Sequence, residues 1–229
     1  MSAKKKLNIY LIMSIIVASI FITTITACSD SSGSENGEAI FEKAVRMQDN
    51  VTPGTDEYNQ FLSLLEKSSE LHYPIAQYRY GEILLKGTGT KKDISKALIL
   101  LNESKDKEPR SKELLALIYL QESAPGAMPL DTDKGVKLLT ESASAGLETS
   151  QYLLGTFYLH GDDGIKQDNL QAYYWLRRAA EQNNKVAQLT LARIVGQGFD
   201  VPADKKASEE WECIANNQHG FDSFWICEN

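Results

Sequence analysis

Apolar and small residues recur three and four positions apart along most of this chain, in short stretches that glycine- and aspartate-bearing segments interrupt. The clearest stretch runs from Thr149 to Asn184. Its spacing predicts two short helices joined by a loop. In the first, Tyr152, Gly155, Tyr158 and Leu159 share one helical face, and Gly155, without a Cβ, lets another backbone approach closely. Asp168 is placed to cap the second helix by accepting a free backbone N–H, and Ala172, Trp175, Leu176 and Ala179 form its inward stripe.

The same pattern recurs upstream and downstream. Small residues at Gly81, Ala116, Gly155 and Ala192 lie 35, 39 and 37 positions apart, and each is followed two residues later by Ile83, Ile118, Phe157 or Ile194. Capping residues Asp93, Asp131, Asp168 and Asp204 lie 38, 37 and 36 apart, and the large anchors Leu100, Leu138, Trp175 and Trp211 follow each of them by seven. Length differences fall in the loops between helices, where a hairpin tolerates them. The fold class read from this period is all-α, a right-handed helix-turn-helix solenoid. Before it, Phe41, Ala44 and Met47, then Phe61, Leu64, Leu65 and Ser68, form a degenerate pair broken at Pro53-Gly54, as an end unit would. The boundaries are 38–72 for that pair, 73–110, 111–148, 149–185 and 186–219 for four repeats, and 220–229 for a terminal cap.

This pattern resembles the Sel-one-like repeats, short relatives of the tetratricopeptide repeats. Tyr158, Gly161, Gly164, Ile165, Asp168, Ala172, Trp175, Arg178, Ala179 and Ala180 match its loop and second helix, with one extra residue between the glycines. Gly81, Gly87, Gly89, Asp93, Lys96 and Ala97 match it in the first full unit. The unit from Ser111 departs, with Glu122 at the loop glycine position and Pro125 and Pro129 in a longer loop. The resemblance implies a non-catalytic protein that binds another protein or peptide. Some lipoproteins with similar repeats are immunity proteins against toxins delivered to the envelope, and some cysteine-rich relatives suggest the alternative of an envelope hydrolase acting on cell wall or β-lactam.

The address is written at the front. Lys4, Lys5 and Lys6 precede an apolar run from Leu7 to Ala27, which ends at Ile25-Thr26-Ala27-Cys28. A basic segment, an apolar segment and small residues before a cut make a secretory signal. The Cys at its end resembles a bacterial lipoprotein signal, with 1–27 removed and Cys28 acylated by chains such as palmitate. An uncleaved spanning helix is the alternative, since the run is long enough to cross a bilayer. Residues 28–37, polar and poor in apolar side chains, read as a flexible tether. Ser29 resembles outer-membrane sorting, although Asp30 stands one place further on. The expected location is therefore the bacterial envelope, lipid-anchored at the outer membrane and facing the periplasm.

Charge narrows the partners. The chain carries 24 basic and 31 acidic residues; losing three lysines with the signal takes its net charge from −7 to −10. Such a chain has no attraction for phosphate backbones, so nucleic acid is not an expected partner. It repels anionic headgroups too, which leaves the anchor at Cys28 as its membrane contact. Cys213 and Cys227 remain as thiols and, outside the cytoplasm, read as one disulfide worth about 3 kcal/mol in the chain-entropy model. That bridge would pin a last segment containing Phe221, Phe224, Trp225 and Ile226 over the fourth repeat.

Candidate chemistry is sparse. His72, His160 and His219 stand apart, no metal-ligand spacing occurs, and no cofactor fingerprint or nucleophile motif appears. Asp162-Asp163 lacks the alternating ligands of a calcium loop. Helix geometry instead points to a binding face on the first helices, at three before, one after and five after each small residue. These positions are Tyr78, Glu82 and Lys86; Glu113, Leu117 and Gln121; Tyr152, Thr156 and His160; and Leu189, Arg193 and Gln197.

Overall fold

Each aspartate that recurs in the sequence begins a helix, and each does so with the same two hydrogen bonds. The side chains of Asp93, Asp131, Asp168 and Asp204 accept the backbone N–H of Lys96, Lys134, Gln171 and Ala207 at 2.9 to 3.0 Å. Their own N–H groups donate to the carbonyls of Leu84, Tyr119, Tyr158 and Val195, each three residues past the small residue of the preceding helix, at 2.8 to 3.0 Å. One bond satisfies an orphan donor of the new helix. The other ties that helix to its partner across the loop. Asp168→Ala is expected to cost about 1 kcal/mol, read as a lower urea midpoint with an unchanged slope.

The computed structural model describes residues 36–120, 130–161 and 164–217. Among them lie ten helices and no strand. They form five antiparallel pairs: α1 (Gly37–Gln48) with α2 (Asp56–Glu70), α3 (Pro74–Lys86) with α4 (Ile94–Ser104), α5 (Pro109–Leu120) with α6 (Thr132–Ser144), α7 (Glu148–His160) with α8 (Asn169–Glu181), and α9 (Lys185–Gln197) with α10 (Lys205–Asn216). Contacts run within each pair and from each pair to the next, the order of a solenoid. None of the described helices is long and apolar enough to cross a membrane.

Small residues set how closely a pair packs. A Cβ on Gly155 would lie 2.7 Å from Leu176 Cγ and 3.0 Å from the Leu176 backbone nitrogen. Leu176 therefore rests on bare backbone. The first helix then stops at Gly161, whose φ of 73° suits a residue without a side chain. Gly87 and Gly198 end α3 and α9 in the same left-handed conformation.

The core is continuous across the pairs. One cluster joins Ala44, Phe61 and Leu65 to Tyr80, Leu84 and Leu100; the next runs from Leu101 through Leu115, Leu139 and Phe157 to Trp175; the last gathers Leu176, Leu191 and Ile194 with Trp211 packed against it. The anchors Leu100, Leu138 and Trp175 are buried, and Leu64 and Trp211 are half-buried.

Several boundaries move by one or two residues from those read in the sequence. α1 takes in Gly37, assigned above to the tether, because Gly37 is buried and its carbonyl accepts the Ser68 hydroxyl at 2.5 Å. Pro109, suited to a first helical position, starts α5 two residues before Ser111. The signal, Cys28, Gln121, the prolines of the second repeat's loop, and the segment 220–229 with Cys227 all lie outside the described residues.

Candidate functional site

First helices stand side by side, so residues at one register position line up along a single face. Four polar contacts join these helices in succession. Arg79 of α3 donates to Gln48 of α1 at 2.7 Å. The Arg110 guanidinium of α5 lies 4.8 Å over the ring of Tyr78 in α3. Glu113 of α5 accepts from the hydroxyls of Thr149 and Ser150 in α7, at 2.6 and 2.5 Å. Asn184, which caps α9, donates to Glu148 of α7.

The twelve positions read as a binding face have different surroundings. Tyr78 is half-buried against the central core cluster, Leu117 packs there as well, and Tyr152 packs against the last cluster. Glu82 accepts from Lys86 at 2.6 Å, one turn away. Glu113 is engaged by the next repeat, and the Thr156 hydroxyl bonds back to the Tyr152 carbonyl at 2.9 Å. Lys86, His160, Leu189, Arg193 and Gln197 are exposed. The His160 ring nitrogen lies 3.0 Å from the Thr156 carbonyl, and Arg193 sits 5.8 Å from the ring of Phe199. Open side chains are thus concentrated at the ends of α3 and α7 and along α9.

Electrostatics follow from this packing. Burial, reinforced by the nearby Glu82 carboxylate and only partly offset by Arg110, pushes the Tyr78 phenol up to about 12. Burial also pushes the Glu108 carboxyl up, but hydrogen bonds from the Arg110 side chain and backbone outweigh it and hold the group below its ordinary value. A spectrophotometric titration set against Tyr78→Phe is expected to show one phenol that ionises only near pH 12. Its contribution to stability is complete below the ordinary value of 10.0 and is lost as pH rises through the native one, because the native chain there retains a proton that the unfolded chain releases. A Tyr78 phenol titrating near 10 would contradict the packing.

Two features of this region escaped the sequence reading. One is the Glu108–Arg110 pair, with Nε to Oε1 at 2.7 Å and Nη2 to Oε2 at 2.9 Å, set where the turn after α4 enters α5. The other is a row of buried amides four residues before the small residue, at Gln77, Gln151 and Gln188. Gln151 and Gln188 each donate to a carbonyl of the preceding second helix, Ala143 and Ala180, both at 3.0 Å. Gln77 donates instead to Glu103 at 2.7 Å. Recurrence of glutamine at that register was the available signal.

Among the described residues no three His, Cys, Asp or Glu side chains gather as a metal site. Cys213 lies in α10, where its Sγ accepts from the Asn217 side-chain amide at 3.2 Å; Cys227, the expected partner, lies outside the described residues.

Comparison with known proteins gives the repeats an identity. The Sel1 repeat family matches residues 74–107, 109–147 and 149–184. The chain is 27% identical over 148 residues to the DAP3-binding cell death enhancer 1 of Rattus norvegicus, covering 64% of this chain and 28% of that protein. It is 31% identical over 147 residues to chitin synthase regulatory factor 3 of Schizosaccharomyces pombe, covering 62% of this chain and 15% of that one. The chain thus spans less than a third of these curated relatives. A solved Sel1 repeat protein from Oxalobacter formigenes superposes with a TM-score of 0.70 at 17% identity, over 87% of this chain and 80% of that one. Residues 74–184 are three tandem Sel1 repeats, set in a helix-pair solenoid of the same fold.

Proposed function

We propose that this chain is a non-catalytic lipoprotein of the bacterial envelope, anchored through an acylated Cys28, whose first-helix face binds a protein or peptide. The observation that carries the reading is the succession of polar contacts between first helices, from Gln48–Arg79 to Glu148–Asn184. Those contacts hold neighbouring repeats in one register, so side chains from α3, α7 and α9 form a preorganised surface and lose little freedom on binding. Helical-repeat solenoids characteristically bind along such extended faces. The outer-membrane location facing the periplasm belongs to the same proposal and rests on the sequence from Lys4 to Ser29. Its finer form is an immunity protein that neutralises one envelope-directed toxin, which predicts a single tight partner, whereas a scaffold predicts several weaker ones.

The test is a crosslinking pull-down from native envelopes with the tagged chain, unaltered or carrying His160→Glu, Leu189→Glu and Arg193→Glu. These side chains are exposed, so the changes spare the core. The expected result is a captured protein that the variant loses by at least roughly tenfold, about 1.4 kcal/mol, with unchanged helical circular dichroism. Equal capture by both forms would remove the first-helix face as the binding surface.

A further inference from the structure

Every lysine and arginine of the first helices from α1 to α7 is engaged within the chain. Arg46 pairs with Glu42 at 3.6 Å, Lys43 has its own contact, and Arg79 is held by the Gln48 amide. Lys86 meets Glu82 at 2.6 Å, Arg110 meets Glu108 at 2.7 Å and Lys112 meets Glu141 at 2.8 Å. The cations of α9 differ. Lys185 and Arg193 are exposed and form no ion pair among the described residues; the Arg193 guanidinium stands 5.8 Å over the ring of Phe199 with its N–H donors unengaged. The acids that end α8 and open α7 are spent elsewhere, Glu181 on Arg177 at 3.0 Å and Glu148 on Asn184. Between the two charges, Val186 and Leu189 are 54% and 41% exposed. Lys185, Leu189 and Arg193 are four residues apart, so they stand about 6 Å from one another along one side of the helix.

We infer that this row binds an acidic segment of a protein partner, in which two carboxylates flank an apolar side chain; the inference rests on the first-helix face being the binding surface. Arg193 takes one carboxylate through two parallel N–H bonds, a geometry that its planar fork offers and an ammonium does not. Lys185 takes the other as a point charge. The apolar side chain between them covers Leu189 and Val186. An extended segment fits this spacing, because its alternate side chains point the same way about 6.7 Å apart. Net charge does not oppose it. The chain as a whole carries −7, but at physiological ionic strength screening confines each exposed charge to about 8 Å, so the local row of cations decides the contact.

Panning random twelve-residue peptides displayed on phage against the tagged chain tests this. The expected result is enrichment of sequences with Asp or Glu two positions either side of an apolar residue. Their retention is expected to fall at least roughly tenfold when salt is raised to about 0.5 M, and as far on a chain carrying Lys185→Gln and Arg193→Gln, with helical circular dichroism unchanged. Arg193→Lys is expected to weaken retention too, since it keeps the charge and loses the fork. No enrichment, enriched peptides without acids, or acidic ones that the doubly substituted chain retains equally, each overturn the inference. The pull-down separates this outcome from failure of the face itself. A captured protein that the His160→Glu, Leu189→Glu, Arg193→Glu chain loses, but the Lys185→Gln, Arg193→Gln chain keeps, leaves the face standing and removes only its acidic partner. Equal capture by the unaltered and triply substituted chains removes the face.

Discussion

Replacing Trp175 with alanine is expected to cost about 4 kcal/mol, within the range for truncating a buried tryptophan, and to lower the melting midpoint by roughly 10 °C for a domain of this size. The indole is 6% exposed and lies at the edge of the central cluster, where it joins Phe157 and Ile165 of its own repeat to Leu139 and Ala143 of the repeat before. Tyr174 meets it edge-on at 4.9 Å between ring centroids, and the Arg178 guanidinium lies 5.6 Å away over its ring. Truncation removes one wall of an interface between repeats. In a chain whose stability is a sum over units and their junctions, that loss has a characteristic form. The thermal transition should broaden, as the repeats on either side of the weakened junction begin to melt separately. A sharp single transition with an unshifted midpoint would show that the junction does not depend on Trp175.

Arg110→Ala is expected to cost about 2 to 3 kcal/mol, because it strands a carboxylate that is only 6% exposed. Arg110 gives Glu108 two side-chain hydrogen bonds and a backbone one, and its guanidinium also covers the Tyr78 ring. The pH dependence separates charge from packing. In the native chain the Glu108 carboxyl is held below its ordinary value, so its contribution is present above that value and is lost as pH falls through the depressed one. Without the guanidinium, burial is opposed only by the backbone N–H of residue 110 and the charge of Arg79, so the Glu108 carboxyl rises from its depressed value. The stability gap between the two chains should therefore narrow on acidification, as measured by urea unfolding across the carboxylate range. Adding Glu108→Gln to the variant should recover part of the loss. A gap independent of pH, with no recovery, would assign the whole effect to the lost stacking on Tyr78.

Comparing these two sites explains what could be read from the sequence. Trp175 was legible because it recurs: a large residue seven after a capping aspartate appears four times, and recurrence averages away the accidents of any one loop. Asp93, Asp131, Asp168 and Asp204 were legible for the same reason, and their capping chemistry is local to a single turn. Glu108–Arg110 occurs once, two residues apart, and its meaning depends on Tyr78 from another repeat. The proposed binding face lies between these cases. Helical spacing places Tyr78, Glu113 and Tyr152 on the outward side, but how far a neighbouring first helix leans over them depends on packing between repeats. So Glu113 is spent on Thr149 and Ser150, while Leu189 and Arg193, with no described repeat beyond them, stay exposed.

The bond from each capping aspartate's N–H back to the first helix fixes where the second helix begins, whatever lies between. From the accepting carbonyl to the aspartate the chain advances nine residues at Leu84–Asp93 and Val195–Asp204, ten at Tyr158–Asp168 and twelve at Tyr119–Asp131, yet the bond lengths stay within 0.2 Å of one another. Loop length can thus vary without moving the start of the second helix, although described loop residues still pack on the stack: Thr88 accepts from the Tyr58 hydroxyl, Ile165 is buried and Asp200 accepts from Asn169. An exposed loop position such as Lys91 is a socket, where a tag, a fluorophore-bearing peptide or a new recognition loop can be grafted at little cost in closure entropy, without disturbing the spacing of the repeats beneath.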